Sequence, residues 1–208
     1  MAFSEIWLAC LEQAWKAYCQ GSVPVGAVWV DAEGHVRLRG RNRIHESLAE
    51  PPHLAGNRLA HAEMNVLVQV PPDDYFSMAT GILYSTLEPC PLCMGAIVMS
   101  GVRQVYYGAR DREAGATALL QATPYVARKQ IQAIGPEPEI QSVSLVLLTD
   151  RLLRLDSPRT PAFIQAFQAD DPLAVALAQV WYREDYLQRA ARQQWPVQQV
   201  IEGIVKAI

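Results

Sequence analysis

The sequence predicts an α/β fold: a mixed five-stranded sheet with helices around it, followed by a helical C-terminal extension. Three observations carry this. A β-branched run at 23–30 precedes a strictly alternating one at 36–42, and the pair reads as a hairpin. Strand, helix and strand succeed one another between 81 and 108, an order that implies parallel neighbours joined by a right-handed crossover. From 160 onward only helical spacing recurs. The chain is accordingly divided into a main domain, 1–150, and an extension, 151–208, packed on it.

The elements follow in order. Ser4 to Cys19 places Ile6, Trp7, Cys10, Leu11, Ala14, Trp15 and Tyr18 at helical intervals, with Ser4 as N-cap. Cys10 and Cys19 lie in that pattern and read as buried thiols. Val23 to Val30 is nearly all apolar, as in a strand buried on both faces, and Ala32-Glu33-Gly34 turns the chain. In the next strand Arg37, Arg39, Arg41 and Arg43 share one face, while Val36, Leu38, Gly40 and Asn42 share the other. The arginine face is either solvated or a seat for phosphates. Residues 44–58, with Pro51-Pro52 and Gly56, form a long loop, and such loops are often functional.

Leu59 to Val70 is expected to be a helix with Leu59, Ala62, Val66 and Val70 on its core face, stopped by Pro71-Pro72. Gly81–Thr86 and Val102–Gly108 are strands, separated by a helix, Pro91–Ser100, that opens on a proline. Thr123–Ile134 is expected to be helical, Ser142–Leu148 to be the fifth strand, and Thr160–Ala169 a helix. Asp170-Asp171-Pro172 begins one long helical region reaching Gln194. In the last helix Val197, Val200, Ile201, Ile204, Val205 and Ile208 make an apolar stripe, which either docks on its own domain or meets a partner.

Composition narrows the function. At 208 residues, half of them hydrophobic and 19% charged, the chain has enough apolar residues for a sizeable core. Its net charge of −3 gives no overall attraction to phosphate backbones, so a nucleic-acid partner would need a local basic patch. No apolar run approaches the roughly 18 residues of a membrane span. The N-terminus has no basic region followed by an apolar one and a small-residue cleavage site. A reducing compartment, the cytoplasm, is expected. There a Cys-x-x-Cys is metal-binding or redox-active rather than a disulfide.

That motif stands in Thr86-Leu87-Glu88-Pro89-Cys90-Pro91-Leu92-Cys93-Met94-Gly95, where strand gives way to helix. A helix N-terminus favours thiolate, the form that binds metal. Taken alone, the pair is equally a redox dithiol. Upstream, His61-Ala62-Glu63 adds an imidazole donor and a carboxylate. Residues two apart on a helix do not share a face, so Glu63 is free to reach toward an open coordination position. His61, Cys90 and Cys93 therefore read as ligands of one Zn2+ per chain with one vacant corner, the pattern of a catalytic centre. Glu63 reads as the group that moves protons beside it.

His-x-Glu upstream of Pro-Cys-x-x-Cys is the signature of zinc nucleobase deaminases. With Val23-Pro24-Val25-Gly26-Ala27-Val28, Asn42-Arg43, Met64, Ala96 and Tyr107-Gly108-Ala109-Arg110-Asp111, the chain resembles the cytidine deaminase-like superfamily. Within it, the tRNA adenosine deaminase branch is most similar. The resemblance covers about residues 4–120. It implies a three-layer α/β/α fold, zinc on His61, Cys90 and Cys93, Glu63 as proton shuttle, and a homodimer. It also implies that Asn42 hydrogen-bonds the purine edge; a strand-end turn residue is the other reading of Asn42.

Three features depart from that branch: the longer loop before His61, the residues from about Pro124 onward, and the presence of only three lysines. The expected activity is hydrolytic deamination of an adenine-type base, whether as free base, nucleoside or in a tRNA anticodon loop. Guanine or cytosine deamination of a free base, or a noncatalytic zinc-stabilised subunit, are the alternatives.

Overall fold

The computed structural model describes residues 3–74 and 76–208. The chain opens with α1 (Glu5–Cys19), whose Ser4 hydroxyl accepts from the Trp7 amide at 3.3 Å. The hairpin β1 (Gly26–Val30) and β2 (Val36–Arg41) follows, then a loop and α2 (Ala62–Leu67). Next come β3 (Ile82–Leu87), α3 (Pro91–Ser100), β4 (Gln104–Ala109), α4 (Pro124–Ala127) and β5 (Gln132–Ile134). Five helices complete the chain: α5 (Pro138–Leu155), α6 (Thr160–Asp170), α7 (Pro172–Arg183), α8 (Tyr186–Arg192) and α9 (Val197–Ala207).

The sheet is mixed and five-stranded, in the order β2-β1-β3-β4-β5. β1 runs antiparallel to both β2 and β3, with Ala27 opposite Gly40 on one side and Ser85 on the other. β3, β4 and β5 are parallel, and α3 is the crossover between the first two. Two glycines let helices settle directly onto backbone. A Cβ at Gly26 would lie 2.2 Å from the Cys10 carbonyl oxygen of α1, and one at Gly40 would lie 2.4 Å from that of Ala62 in α2. Because Gly40 pairs with Ala27 rather than Gly26, these contacts are on opposite faces. α2 and α3 cover one face; α1 and α5 cover the other, where a Cβ at Gly108 would meet Ile140.

Several expectations are corrected. Ser142–Leu148, read as the fifth strand, lies inside α5. That helix is clasped between the sheet and α6, α7 and α9, so Val143 to Asp150 are buried on every side. Burial all round erases the 3.6-residue polar stripe that would have marked a helix. The fifth strand is Gln132–Ile134, within the expected helix 123–134, of which only Pro124–Ala127 is helical. As a three-residue edge strand with Gln132 and Ile134 exposed, it carries almost no apolar signal. The helix expected at 59–70 is confined to Ala62–Leu67, and Leu59 is exposed rather than in the core. The long helix to Gln194 breaks at Asp185, which takes a left-handed φ of 55° between α7 and α8. Cys10 is buried as expected, but Cys19, the last residue of α1, is exposed.

Residues after β5 pack as one body with the sheet. α5 continues across residue 150, and α7 and α9 lie against it. Asp150, fully buried, accepts from the Tyr18 hydroxyl of α1 and from Arg154 at 2.7 Å; Arg154 reaches Asp185 at 2.9 Å. On α9, Val197, Val200, Ile201 and Ile204 are buried against the protein's own core, whereas Val205 and Ile208 are exposed. Of the four arginines on the β2 face, Arg37 pairs with Asp31 at 2.5 Å, and Arg41 and Arg43 share Glu46 at 2.8 and 3.0 Å. The long loop is likewise held: the Asn65 side chain accepts from the Leu54 amide at 2.7 Å and donates to the Leu54 and Arg41 carbonyls.

Candidate active site

The site is assembled from the N-termini of two helices that pack on one another, α2 and α3. His61 is the extended residue before α2 and Cys90 the extended residue before α3, while Glu63 and Cys93 stand in the first turns. Pro91 favours this geometry, since its φ is already helical and its missing N–H is not needed there. Side chains more than twenty residues apart in sequence thus meet at adjacent helix ends.

His61 Nδ1 lies 3.5 Å from Cys90 Sγ and 3.4 Å from Cys93 Sγ, and the sulfurs are 3.7 Å apart. Tetrahedral zinc, with bonds of about 2.3 Å to sulfur and about 2.0 Å to nitrogen, sets sulfurs about 3.8 Å apart and each about 3.5 Å from the nitrogen. The donor set fits that ion closely. Electrostatics point the same way. Hydrogen bonding from Cys93, then from His61 and the α3 backbone, draws the Cys90 thiol down to about 4 against the opposing effect of burial. Cys93 is pushed up, by the hydrogen bond to Cys90, by burial and by Glu63. Two adjacent sulfurs cannot both be thiolates unless a cation lies between them.

Glu63 is 3% exposed. Its Oε1 accepts from the Ser85 hydroxyl at 3.1 Å, and its Oε2 is 3.2 Å from Cys93 Sγ. Burial raises its affinity for a proton, partly countered by His61. Burial thus makes it a readier proton acceptor than an exposed carboxylate. Asn42 is buried too, and its orientation is determined by its neighbours. Oδ1 accepts from the Ile44 amide at 3.1 Å and from Ser22 Oγ at 2.8 Å. A backbone N–H can only donate, so the oxygen must face it, which leaves the Nδ2 donor for other partners.

His61, Glu63, Cys90 and Asn42 line a single cavity of about 360 Å³; Cys93 is fully buried behind it. Sequence reading missed much of its wall. Glu88 accepts from the Thr117 hydroxyl at 2.6 Å and the Asp111 amide at 3.3 Å, tying the ends of β3 and β4 together beside the cavity. Asp111 was visible only within a matched motif, and Ser85 only as a strand residue. Leu148 and Leu152 of α5 and Phe163 and Phe167 of α6, with Arg159 just before it, close the far side. No motif or spacing marks these five.

Fold and site define a three-layer α/β/α metalloprotein whose donor set leaves one buried carboxylate free beside it. The family model described as the cytidine and deoxycytidylate deaminase zinc-binding region matches residues 4–109, half of the chain, and the chain belongs to that family. Zinc is its metal. The tRNA-specific adenosine deaminase of Bacillus subtilis is 37% identical over 111 residues, 53% of this chain and 63% of that protein. The tRNA(Ile)-lysidine synthase of Thermus thermophilus is 42% identical over 106 residues, 51% of this chain but 18% of that protein. The chain thus spans less than two thirds of these relatives. A solved tRNA:A34 deaminase superposes with a TM-score of 0.51 at 27% identity, over 64% of this chain and 93% of that one. A guanine deaminase from Nitrosomonas europaea, at 0.50 and 20% identity over 73% and 85%, shares the fold. Among the described residues no helix is long and apolar enough to cross a membrane.

Proposed function

We propose that this protein is a zinc-dependent hydrolytic deaminase of a nucleobase, with adenine-type bases favoured, and that Glu63 is its proton carrier. The observation that supports this most directly is the buried Glu63 carboxylate beside three metal donors, two of which line the same cavity. His61, Cys90 and Cys93 would hold one zinc per chain. Bound there, zinc supplies Lewis acidity that makes water a nucleophile near neutral pH.

The remaining chemistry belongs to the chain. Water adds to the amine-bearing ring carbon, the C–N bond breaks, and the products are a ring carbonyl and ammonia. Glu63 accepts a proton from the water, passes it to the adjacent ring nitrogen, and later hands one to the departing amine. Ser85 holds Oε1, so the carboxylate faces the reacting atoms in one orientation. Asn42 Nδ2 donates to a base acceptor; adenine's ring nitrogens suit a donor of this kind.

We further assign the protein to the cytoplasm, in keeping with its four free cysteines, and divide it into a deaminase domain with a helical extension. A homodimer is the expected assembly. Exposed Met99 of α3, with Leu119 and Tyr125, offers an apolar patch for it. Similarity to tRNA-specific adenosine deaminases makes an anticodon loop one candidate substrate, beside a free base or nucleoside.

The test is ammonia release from zinc-loaded protein given adenine, guanine, cytosine, their nucleosides and an anticodon stem-loop. Release from at least one is expected. One zinc per chain with no ammonia from any would make the protein a zinc-stabilised scaffold instead.

A further inference from the structure

We propose that α6 is the substrate-selecting wall of the cavity, and that it fits the site to a single base, nucleoside or nucleotide rather than to a base within RNA. This rests on the deaminase reading above and narrows its substrate class. Phe163 and Phe167, 6.2 Å apart, and Arg159 one turn earlier, border the same cavity as His61, Glu63 and Asn42. The family match ends at residue 109, so these side chains lie outside the part of the chain that carries the metal site.

Three observations carry the inference. First, α6 is fastened at both ends. Thr160 Oγ1 donates to the Leu152 carbonyl at 3.1 Å, and Asp170 binds Arg112 at 2.6 Å. Arg112 follows Asp111, another residue of the cavity lining, so α6 is anchored to the segment after β4 that borders the cavity. Second, about 360 Å³ lies at the lower end of the range of small-molecule pockets, and the wall that α6 and α5 supply is aromatic and aliphatic. An aromatic face suits a planar base. Third, three of the arginines near the cavity and the β2 face are already engaged. Arg41 and Arg43 are held by Glu46, and Arg112 by Asp170. Arg159 is exposed and has no ion-pair partner among the described residues. A guanidinium at this position suits a ribose hydroxyl or a single phosphate.

The experiment measures equilibrium binding of unreactive products to the full-length zinc-loaded protein: hypoxanthine, inosine, inosine 5′-monophosphate, and an anticodon stem-loop carrying inosine. The monomers are expected to bind and the stem-loop to bind weakly even at low salt. Phe163→Ala should weaken all three monomers about tenfold, and Phe163→Leu less, with zinc content unchanged. Arg159→Ala, at an exposed position, should weaken inosine or its monophosphate while leaving hypoxanthine as it was. Tighter binding of the stem-loop than of any monomer would overturn the proposal. So would Phe163→Ala binding like the parent, or no monomer binding at all. The two readings fail separately. Monomers that bind but release no ammonia in their amino forms count against the deaminase. Ammonia from the stem-loop alone keeps the deaminase and removes the role given to α6.

Discussion

The two sides of the cavity are built on different principles. On one side, α2 and α3 bring His61, Glu63, Cys90 and Cys93 together through short local rules: an extended residue before a helix, a donor in the first turn, a proline that starts it. On the other, Leu148, Leu152, Phe163 and Phe167 owe their position to how α5 stacks on the sheet and α6 on α5. Chemistry can thus be concentrated in a few residues near helix ends, whereas the shape of the space around it is a property of the packed body. A change on the first side should alter what the site does. A change on the second should alter what fits, or how firmly the body holds.

The largest expected effect breaks the first side outright. Cys90→Ser should lose both zinc and turnover and lower the unfolding temperature, because metal binding is coupled to folding. Metal analysis that still finds one zinc per chain would contradict the ligand set. Next, Glu63→Gln should retain zinc while turnover falls by about 10²- to 10⁴-fold, the usual weight of a positioned acid–base group. Unchanged ammonia release would take Glu63 out of the reaction.

The second side is probed by Asp150→Ala, which strips Arg154 and the Tyr18 hydroxyl of a fully buried acceptor. A cost of about 1–3 kcal/mol is expected in denaturant unfolding, with zinc content unaltered, since the Tyr18 hydroxyl loses its buried acceptor while Arg154 keeps Asp185. Equal stability of the two proteins would show that this cluster does not join α1 to α5 and α8.

The smallest effect serves as a control remote from both sides. At Asp31 burial acts upward, yet hydrogen bonds from the His35 backbone and the Arg37 guanidinium outweigh it and hold the carboxyl below its usual range. A depressed folded-state value means the contribution is present above the unfolded value, near 3.8, and is lost as pH falls through the folded one. Asp31→Asn should therefore be slightly less stable than the parent at pH 7 and indistinguishable near pH 2. A gap that persists in acid would assign the effect to something other than ionisation.

How much of this was legible follows from how far each signal reaches along the chain. α3 was located to the residue, its start marked by a proline; in the structure Gly101, with φ 91°, closes it. The candidate metal donors were legible because each of the two motifs, His-x-Glu and Cys-x-x-Cys, is local and the residue types are few. Asn42 was legible as a position, but not the direction of its amide, which depends on Ser22 and Ile44. α5 was mistaken for a strand because its polar stripe is absent, and β5 was missed because so little of it is buried.

Residue order alone determined the α/β class, the hairpin that carries Asn42, and the two short motifs His61-Ala62-Glu63 and Cys90-Pro91-Leu92-Cys93, each of which rests on neighbours within a few positions. Only the tertiary structure decided that a helix fills the place expected of a fifth strand, that Glu46 takes up two of the arginines, and that Phe163 and Phe167 face the site from an extension with no motif. The physical reason is the same in each case: packing joins residues that no periodicity connects, and an apolar run records that it is buried without recording against what.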